Sequence, residues 1–328
     1  MRRREFIAGL GSAVWPLAAR AQLPDQMRRV VVLMTNSESD AEAQADLASF
    51  TQELTRLGWN EGSNLRTEIR WANANVDRME MLAKELVGLK PDVILAHTTP
   101  VTAAFRRQTR TIPIVFVIVS DPEGAGFVES LARPGANITG FVNIEASMGG
   151  KWLQLLMEIA PGVKTAAIMF NPDTAPGGGS YFLPAFETAA RLLNVEPMPT
   201  PVRSDAEIDR ALASLQGEKM GLVAMTDGFN LVHYTQIVSL AARYKIPAVY
   251  AETVFVKAGG LVSYGDDAKD IFGRAAAYID RILRGARPSD LPVQLPLKME
   301  MAVNVKTAKA LGLTVPQSIL LRADEVIE

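Results

Sequence analysis

The side chains able to do chemistry in this chain fall into short polar clusters, each following an apolar run. Thr35-Asn36-Ser37, His97-Thr98-Thr99-Pro100 and Ser120-Asp121-Pro122 stand in the first half. Asn171-Pro172-Asp173, Thr226-Asp227, Glu252-Thr253 and the pair Tyr264 and Asp266 stand in the second. Hydroxyls and amides ahead of a helix can receive a carboxylate, and sheltered acids can receive an ammonium. The candidate ligand-binding residues are therefore Asn36, His97, Thr98, Thr99, Ser120, Asp121, Asn171, Tyr181, Thr226, Asp227, Glu252 and Tyr264. For any one of them, helix capping or a turn is the plainer alternative.

Other chemistries are excluded by composition. There is no cysteine, which removes disulfides, thiolate nucleophiles, iron–sulfur clusters and Cys-containing zinc sites. With only His97 and His233, one chain cannot build a three-His metal site. No G-x-S-x-G elbow or H-E-x-x-H helix occurs. The run Gly177-Gly178-Gly179-Ser180 ahead of Tyr181 lacks the Gly-Lys-Ser/Thr ending of a nucleotide loop and reads as a flexible loop or an anion cradle. His233 reads as a structural helix residue, and the sequon Asn137-Ile138-Thr139 as chance. The expectation is a binder without catalysis, cofactor or metal.

The elements that position these residues repeat one rhythm. Val30 to Met34 is a β-branched run suited to a strand buried on both faces. Ala43, Leu47, Phe50, Leu54 and Leu57 follow at helical spacing, and Gly58 ends that helix. The alternation predicts strands at 65–71, 92–96, 112–119 and 138–142, with helices at 76–89 and 101–108 between them. A second set begins with a helix at 147–159 and continues with strands at 165–170, 221–225 and 247–251, an extended segment at 195–202, and helices at 181–193 and 231–244. Ser204-Asp205-Ala206-Glu207 is a capping box that starts a further helix. Strands separated by helices imply right-handed crossovers and parallel sheets. Two such sets imply two doubly wound Rossmann-like lobes. A strand at 260–264, a helix at 268–283, a proline-rich stretch at 288–296 and a short helix capped by Asn304 exceed what two simple lobes need, so the last segments are expected to cross between them.

At 328 residues, with 48% hydrophobic residues, the chain has length and apolar content for two cores. Its net charge of −2 argues against a nucleic-acid binder. Residues 1–21 read as a cleavable export signal: Arg2, Arg3 and Arg4, an apolar stretch too short to span a bilayer well, and Ala19-Arg20-Ala21 as the cleavage site. The spacing Arg3-Arg4-x-Phe6-Ile7 resembles a twin-arginine signal, with an ordinary secretory signal as the alternative. The expectation is a periplasmic protein beginning at Gln22, mildly acidic, with no membrane-inserted segment in the mature chain.

Several runs carry a family resemblance. They are His97-Thr98-Thr99-Pro100, Ile112 to Phe116, Ser120-Asp121-Pro122, Ser130 to Gly140, Asn171 to Thr174, Asn304 to Leu313 and Arg322 to Ile327. Together they resemble bacterial ABC-transporter substrate-binding proteins related to tryptophan/tyrosine-binding receptors, over essentially the whole mature chain.

The resemblance implies a type I periplasmic-binding-protein fold, α/β, with two Rossmann-like lobes joined by three crossing strands. It assigns 28–143 plus 261–287 to lobe 1 and 144–260 plus 288–328 to lobe 2. It implies that Thr98, Thr99 and Ser120 hold a ligand's anionic or carbonyl end, with Asp121 nearby, and that Asn171, Tyr181, Asp227 and Glu252 close from the other lobe. Relatives tend to carry a small residue where His97 stands, and His97 favours an anionic or aromatic-acid ligand. The implied protein is a monomeric receptor that captures a small polar ligand by hinge closure and presents it to an ABC permease. The alternatives are a ligand-sensing subunit for a membrane receptor kinase and an exported two-lobed enzyme. A lactose-repressor-like regulator would need a DNA-binding helix-turn-helix where the export signal stands.

Overall fold

The computed structural model describes residues 27–217 and 219–328, so the export signal expected over residues 1–21 lies outside the described residues. The first unit runs β1 (Arg28–Met34), α1 (Ala41–Arg56), β2 (Leu65–Trp71), α2 (Val76–Gly88), β3 (Val93–His97), α3 (Thr99–Gln108), β4 (Ile114–Val119) and β5 (Ile138–Val142). Its sheet has the order β2-β1-β3-β4-β5 with every pair parallel. Side chains along β1 alternate between two cores. Val30, Val32 and Met34 join the side covered by α1, whereas Val31 and Leu33 join the side covered by α2 and α3. Burial on both faces explains why β1 and β4 are continuous apolar runs rather than alternating ones.

The second unit runs α4 (Met148–Ile159), β6 (Thr165–Phe170), α5 (Leu183–Leu193), β7 (Glu196–Pro201), α6 (Asp205–Ser214), β8 (Met220–Ala224), α7 (Gly228–Val232), α8 (Tyr234–Arg243), β9 (Ala248–Tyr250), α9 (Thr253–Lys257) and β10 (Val262–Asp266). Then α10 (Ala268–Leu283) returns to the first unit and packs on α1 and β4. The chain ends with β11 (Met299–Asn304), α11 (Val305–Ala310), α12 (Gln317–Arg322) and β12 (Glu325–Ile327). The second sheet has the order β12-β11-β10-β9-β8-β6-β7, parallel except where β11 meets β10. β7 carries Pro197, Pro199 and Pro201 and stands at the sheet's edge, where prolines lacking an N–H are tolerated.

The chain passes between the two units three times: after β5, between β10 and α10, and between Gln294 and β11. Gln294 still belongs to the first unit, accepting from Val142 N–H and donating to the Gly140 carbonyl. The sequence reading placed 261–287 with the first lobe and 288–328 with the second. The structure corrects the start of each range and keeps the rest: β10 pairs with β9 and β11 in the second sheet, Leu291 and Val293 are buried in the first unit's cores, and α10 and β11 to β12 lie where expected. Hydrophobic periodicity shows that a strand exists but not which neighbour it pairs with.

Local signals elsewhere match. Ser204 Oγ accepts from Glu207 N–H, although the Glu207 carboxylate turns to Arg203 N–H rather than to Ser204. Asn304 caps α11 through Thr307 N–H, and Gly312 follows it at φ 72°. The helix expected at 231–244 is broken at His233, whose Nδ1 meets the Phe229 carbonyl at 2.8 Å and whose Nε2 lies 3.0 Å from Asp205. That residue is structural, as expected.

Candidate ligand-binding cleft

The carboxyl ends of the strands of both sheets open onto one cleft between the units, where ligands sit in open α/β sheets. It encloses about 110 Å³, against roughly 10–15 Å³ for a single water, which suits a compact small molecule. Asn36, His97, Thr98, Thr99 and Ser120 line it from the first unit, and Thr226, Asp227 and Glu252 from the second.

On the first wall, β3 ends at His97, which is buried, and α3 begins directly after Thr98. Thr98 has φ 76° and Ile118, also on the cleft wall, has φ 57°. Both are β-branched, so the left-handed conformation is strained, and such strain concentrates at functional sites. At Ile118 it accompanies a register shift between β4 and β5. Thr35 Oγ1 donates to the His97 carbonyl at 3.0 Å, so the 2.6 Å contact between Thr35 and Thr98 hydroxyls uses the Thr98 proton. Ser120 Oγ donates to Asn143 Oδ1 at 2.9 Å. Two of the three hydroxyls expected to hold an anionic end therefore direct their protons into the protein. The donors left on this wall are the Thr99 hydroxyl and backbone N–H at the start of α3, which has no side-chain cap, the Asn143 amide nitrogen and one nitrogen of His97.

His97 is not the cation its type suggests. Burial holds its pKa down at about 3, so the ring is neutral. Nδ1 accepts the Thr35 N–H at 3.2 Å, which places the ring proton on Nε2. The ring packs against Phe272 of α10, with centroids 5.6 Å apart. His97 can thus offer a neutral donor, not a positive charge.

The second wall is acidic. Glu252 follows β9, Asp266 ends β10, and Asp46 faces them from the middle of α1. Burial, with help from Asp266 and Asp227, pushes Glu252 up to about 8. Burial raises Asp266 to about 7, and burial with Glu42 and Asp266 raises Asp46 to about 7. Gly265 sets the spacing between β9 and β10 here, because a Cβ on it would lie 1.8 Å from the Ala251 carbonyl oxygen. Asp227 differs from its neighbours in being fully used. Its Oδ1 accepts from Thr174 Oγ1, Phe229 N–H and Asn230 N–H, and its Oδ2 accepts from Asn171 N–H at 2.7 Å. It is the N-cap of α7 and ties the β6 end to the β8 end.

The units touch across the cleft. Lys257 Nζ lies 3.1 Å from Glu42 of α1. A Cβ on Gly228 would come within 2.9 Å of the Thr35 methyl group, so only glycine admits this approach without a shift.

The structure places four of the sequence candidates elsewhere. Asn171 is buried in a turn, its Oδ1 accepting from Asp173 N–H. Asp121 caps another turn through Gly124 N–H and shares with Tyr181 a separate shallow depression near Leu295. Tyr264 packs against the second unit's core, and its carbonyl accepts from Trp152 Nε1 at 2.7 Å. Residues after a strand reach the cleft only if the following turn bends toward it, which strand-end position alone does not show. Conversely, Asp46 and Asn143 line the cleft without having been singled out. The sequence signal for Asp46 was only a carboxylate beside the apolar stripe of α1.

Residues 32–327 match the family model described as "ABC transporter substrate binding protein". The chain is 27% identical over 267 residues to a tyrosine-binding protein of Clostridioides difficile (strain R20291), covering 80% of this chain and 75% of that protein. It superposes with a TM-score of 0.84 on the ABC domain in complex with L-Trp from Streptococcus pneumonia, at 22% identity, covering 92% of this chain and all of that one. On the ligand-free, open structure of a substrate binding protein with adhesive properties from Clostridium difficile, the TM-score is 0.66 at 25% identity, covering 92% and 99%. The architecture is the type I periplasmic-binding-protein fold. With its family model spanning both units and the cleft, the chain belongs to the ABC transporter substrate-binding proteins, the solute receptors of ABC importers.

Proposed function

We propose that this receptor captures a small ligand of amino-acid type, carrying a carboxylate and an ammonium, and presents the closed form to its permease. The observation that carries this reading is the polarity of the cleft. Hydrogen-bond donors at the start of α3 and at His97 Nε2 and Asn143 face the acids Glu252 and Asp266. A carboxylate placed at the start of α3 accepts from the Thr99 N–H and hydroxyl and is favoured by the helix dipole. An ammonium placed between Glu252 and Asp266 forms charge-assisted hydrogen bonds in a sheltered site. The tyrosine- and tryptophan-binding relatives support the ligand class.

Closure follows from the ligand touching both walls. A ligand that binds the closed arrangement better than the open one shifts the population toward it. Gly228 against Thr35 and Lys257 against Glu42 are the contacts that complete closure. Nothing in this cycle requires a bond to break, so the expectation is binding without turnover, by a monomer, in the periplasm.

Thermal-shift screening of the chain from Gln22 onward against amino acids tests the reading. A ligand at 100 times its Kd should add about 2.7 kcal/mol of stability. Absence of any shift across all amino acids at millimolar concentration would sink it.

A further inference from the structure

One α-ammonium is satisfied by Glu252 and Asp266, yet the cleft holds a third carboxylate, Asp46, on a different element. Among the described residues, none of these three acids makes an ion pair. The lysines around the mouth are engaged with other acids: Lys257 and Lys269 with Glu42 at 3.1 and 3.7 Å, and Lys298 with Asp267 and Glu300 at 3.3 and 2.6 Å. Lys269 is the one cation that acts on Asp46, against Glu42, Asp40 and Asp266. Burial is the main reason these acids are held at about 7 or above, and Asp266 adds to it for both Asp46 and Glu252; a bound cation relieves that cost.

A second observation stands beside the acids. Asn36 is 3% exposed and lines the same cleft. Its Nδ2 donates to Asp40 Oδ2 at 3.1 Å, which fixes the amide's orientation and leaves Oδ1 without a hydrogen-bond partner. A buried unpaired acceptor destabilises the fold, and a ligand donor would satisfy it. The lining also offers no aromatic ring other than the imidazole of His97, so an indole or phenol finds nothing to stack on.

We propose that the ligand carries a second cationic group, and that Asp46 and Asn36 Oδ1 receive it: the substrate class is a basic amino acid with an ammonium or guanidinium side chain. This rests on the amino-acid reading above and narrows it.

The test is calorimetric titration of the chain from Gln22 onward with L-lysine, L-ornithine and L-arginine, against L-norleucine, L-tyrosine and L-tryptophan. L-Norleucine keeps the lysine stem and lacks its ε-ammonium. At least one basic amino acid should bind tenfold or more tighter than L-norleucine and the aromatic pair. Asp46→Asn should reduce that preference to threefold or less, and Asn36→Ser should reduce it in the same direction, with melting curves showing that each variant is folded. Equal or tighter binding of L-tyrosine, L-tryptophan or L-norleucine overturns the inference and leaves the amino-acid receptor standing. A preference unchanged in both folded variants overturns the assignment of Asp46 and Asn36. Silence of all six probes overturns the inference, and the amino-acid reading beneath it falls only if the thermal-shift screen is silent for every amino acid as well.

Discussion

The backbone N–H of Thr35, at the end of β1, donates to Nδ1 of His97, at the end of β3, across 3.2 Å. One parallel strand thereby fixes the tautomer of the other's terminal side chain. An unfolded His97 titrates near 6.5, while the buried one titrates at about 3. Below 6.5 the unfolded chain gains a proton that the folded one does not, so this contribution is complete above 6.5 and is lost as pH falls toward 3. The slope approaches about 1.36 kcal/mol per pH unit. Urea denaturation of His97→Asn between pH 6.5 and 4 should show a shallower loss than the parent; parallel curves would refute the buried neutral imidazole.

The acids predict the opposite dependence. Glu252, raised to about 8, and Asp266, raised to about 7, bind protons in the folded state at pH values where the unfolded chain has released them. Their stabilisation is complete below about pH 4 and is lost as pH rises to about 8. Glu252→Gln should therefore melt higher than the parent at pH 8, by roughly 1–3 kcal/mol, with little difference at pH 4. The same variant should lose at least tenfold in affinity for the amino acid that the parent binds. A variant that is destabilised at pH 8 would contradict this.

Gly228 limits how far the units close. Adding a methyl group at this position meets the methyl of Thr35, a side chain that is fully buried and hydrogen-bonded to His97 and Thr98. Gly228→Ala should weaken ligand binding about tenfold, equivalent to about 1.4 kcal/mol, while the ligand-free melting temperature stays within about 2 °C. Small-angle scattering should show the variant remaining more extended at saturating ligand. Unchanged affinity would show that closure does not need this contact.

Asp227 separates structure from binding. It accepts four hydrogen bonds, so Asp227→Asn replaces one accepting oxygen with a donor facing N–H groups. The loss should be about 1–3 kcal/mol of stability, read by chemical denaturation. Ligand affinity at 10 °C, where the variant remains folded, should change less than threefold. A large affinity loss in the folded variant would return Asp227 to the ligand.

How much of this was legible follows from the physics of each signal. Val30 to Met34 and Ile114 to Val119 announced strands because burial on both faces demands unbroken apolar side chains. The strand-end rule then found His97, Thr98, Thr99 and Glu252 on the cleft wall. It could not tell that Thr98 and Ser120 turn their protons inward, since Thr35 and Asn143 are distant in sequence. It could not give Asp46 its role, because a carboxylate on a helix flank reads the same whether it faces water or a cleft. The pairing of β10 was hidden for a related reason: its pattern suits either sheet, and only the antiparallel return of β11 decides.

The helix α10 lies against α1, although about two hundred residues separate them, and Ile271, Phe272, Ala275 and Ile279 complete a core begun by Leu47 and Phe50. The strap at Leu291 to Gln294 joins the same unit later still. The amino-terminal half therefore cannot finish folding as it leaves the ribosome, because a wall of its core is made almost last. Contacts this distant in sequence slow folding, and they leave Val30, Leu47 and Phe50 uncovered in any shortened chain. Truncation before α10 should consequently yield an insoluble fragment rather than an isolated amino-terminal domain, and quality control in the cell would see two units as a single all-or-none commitment.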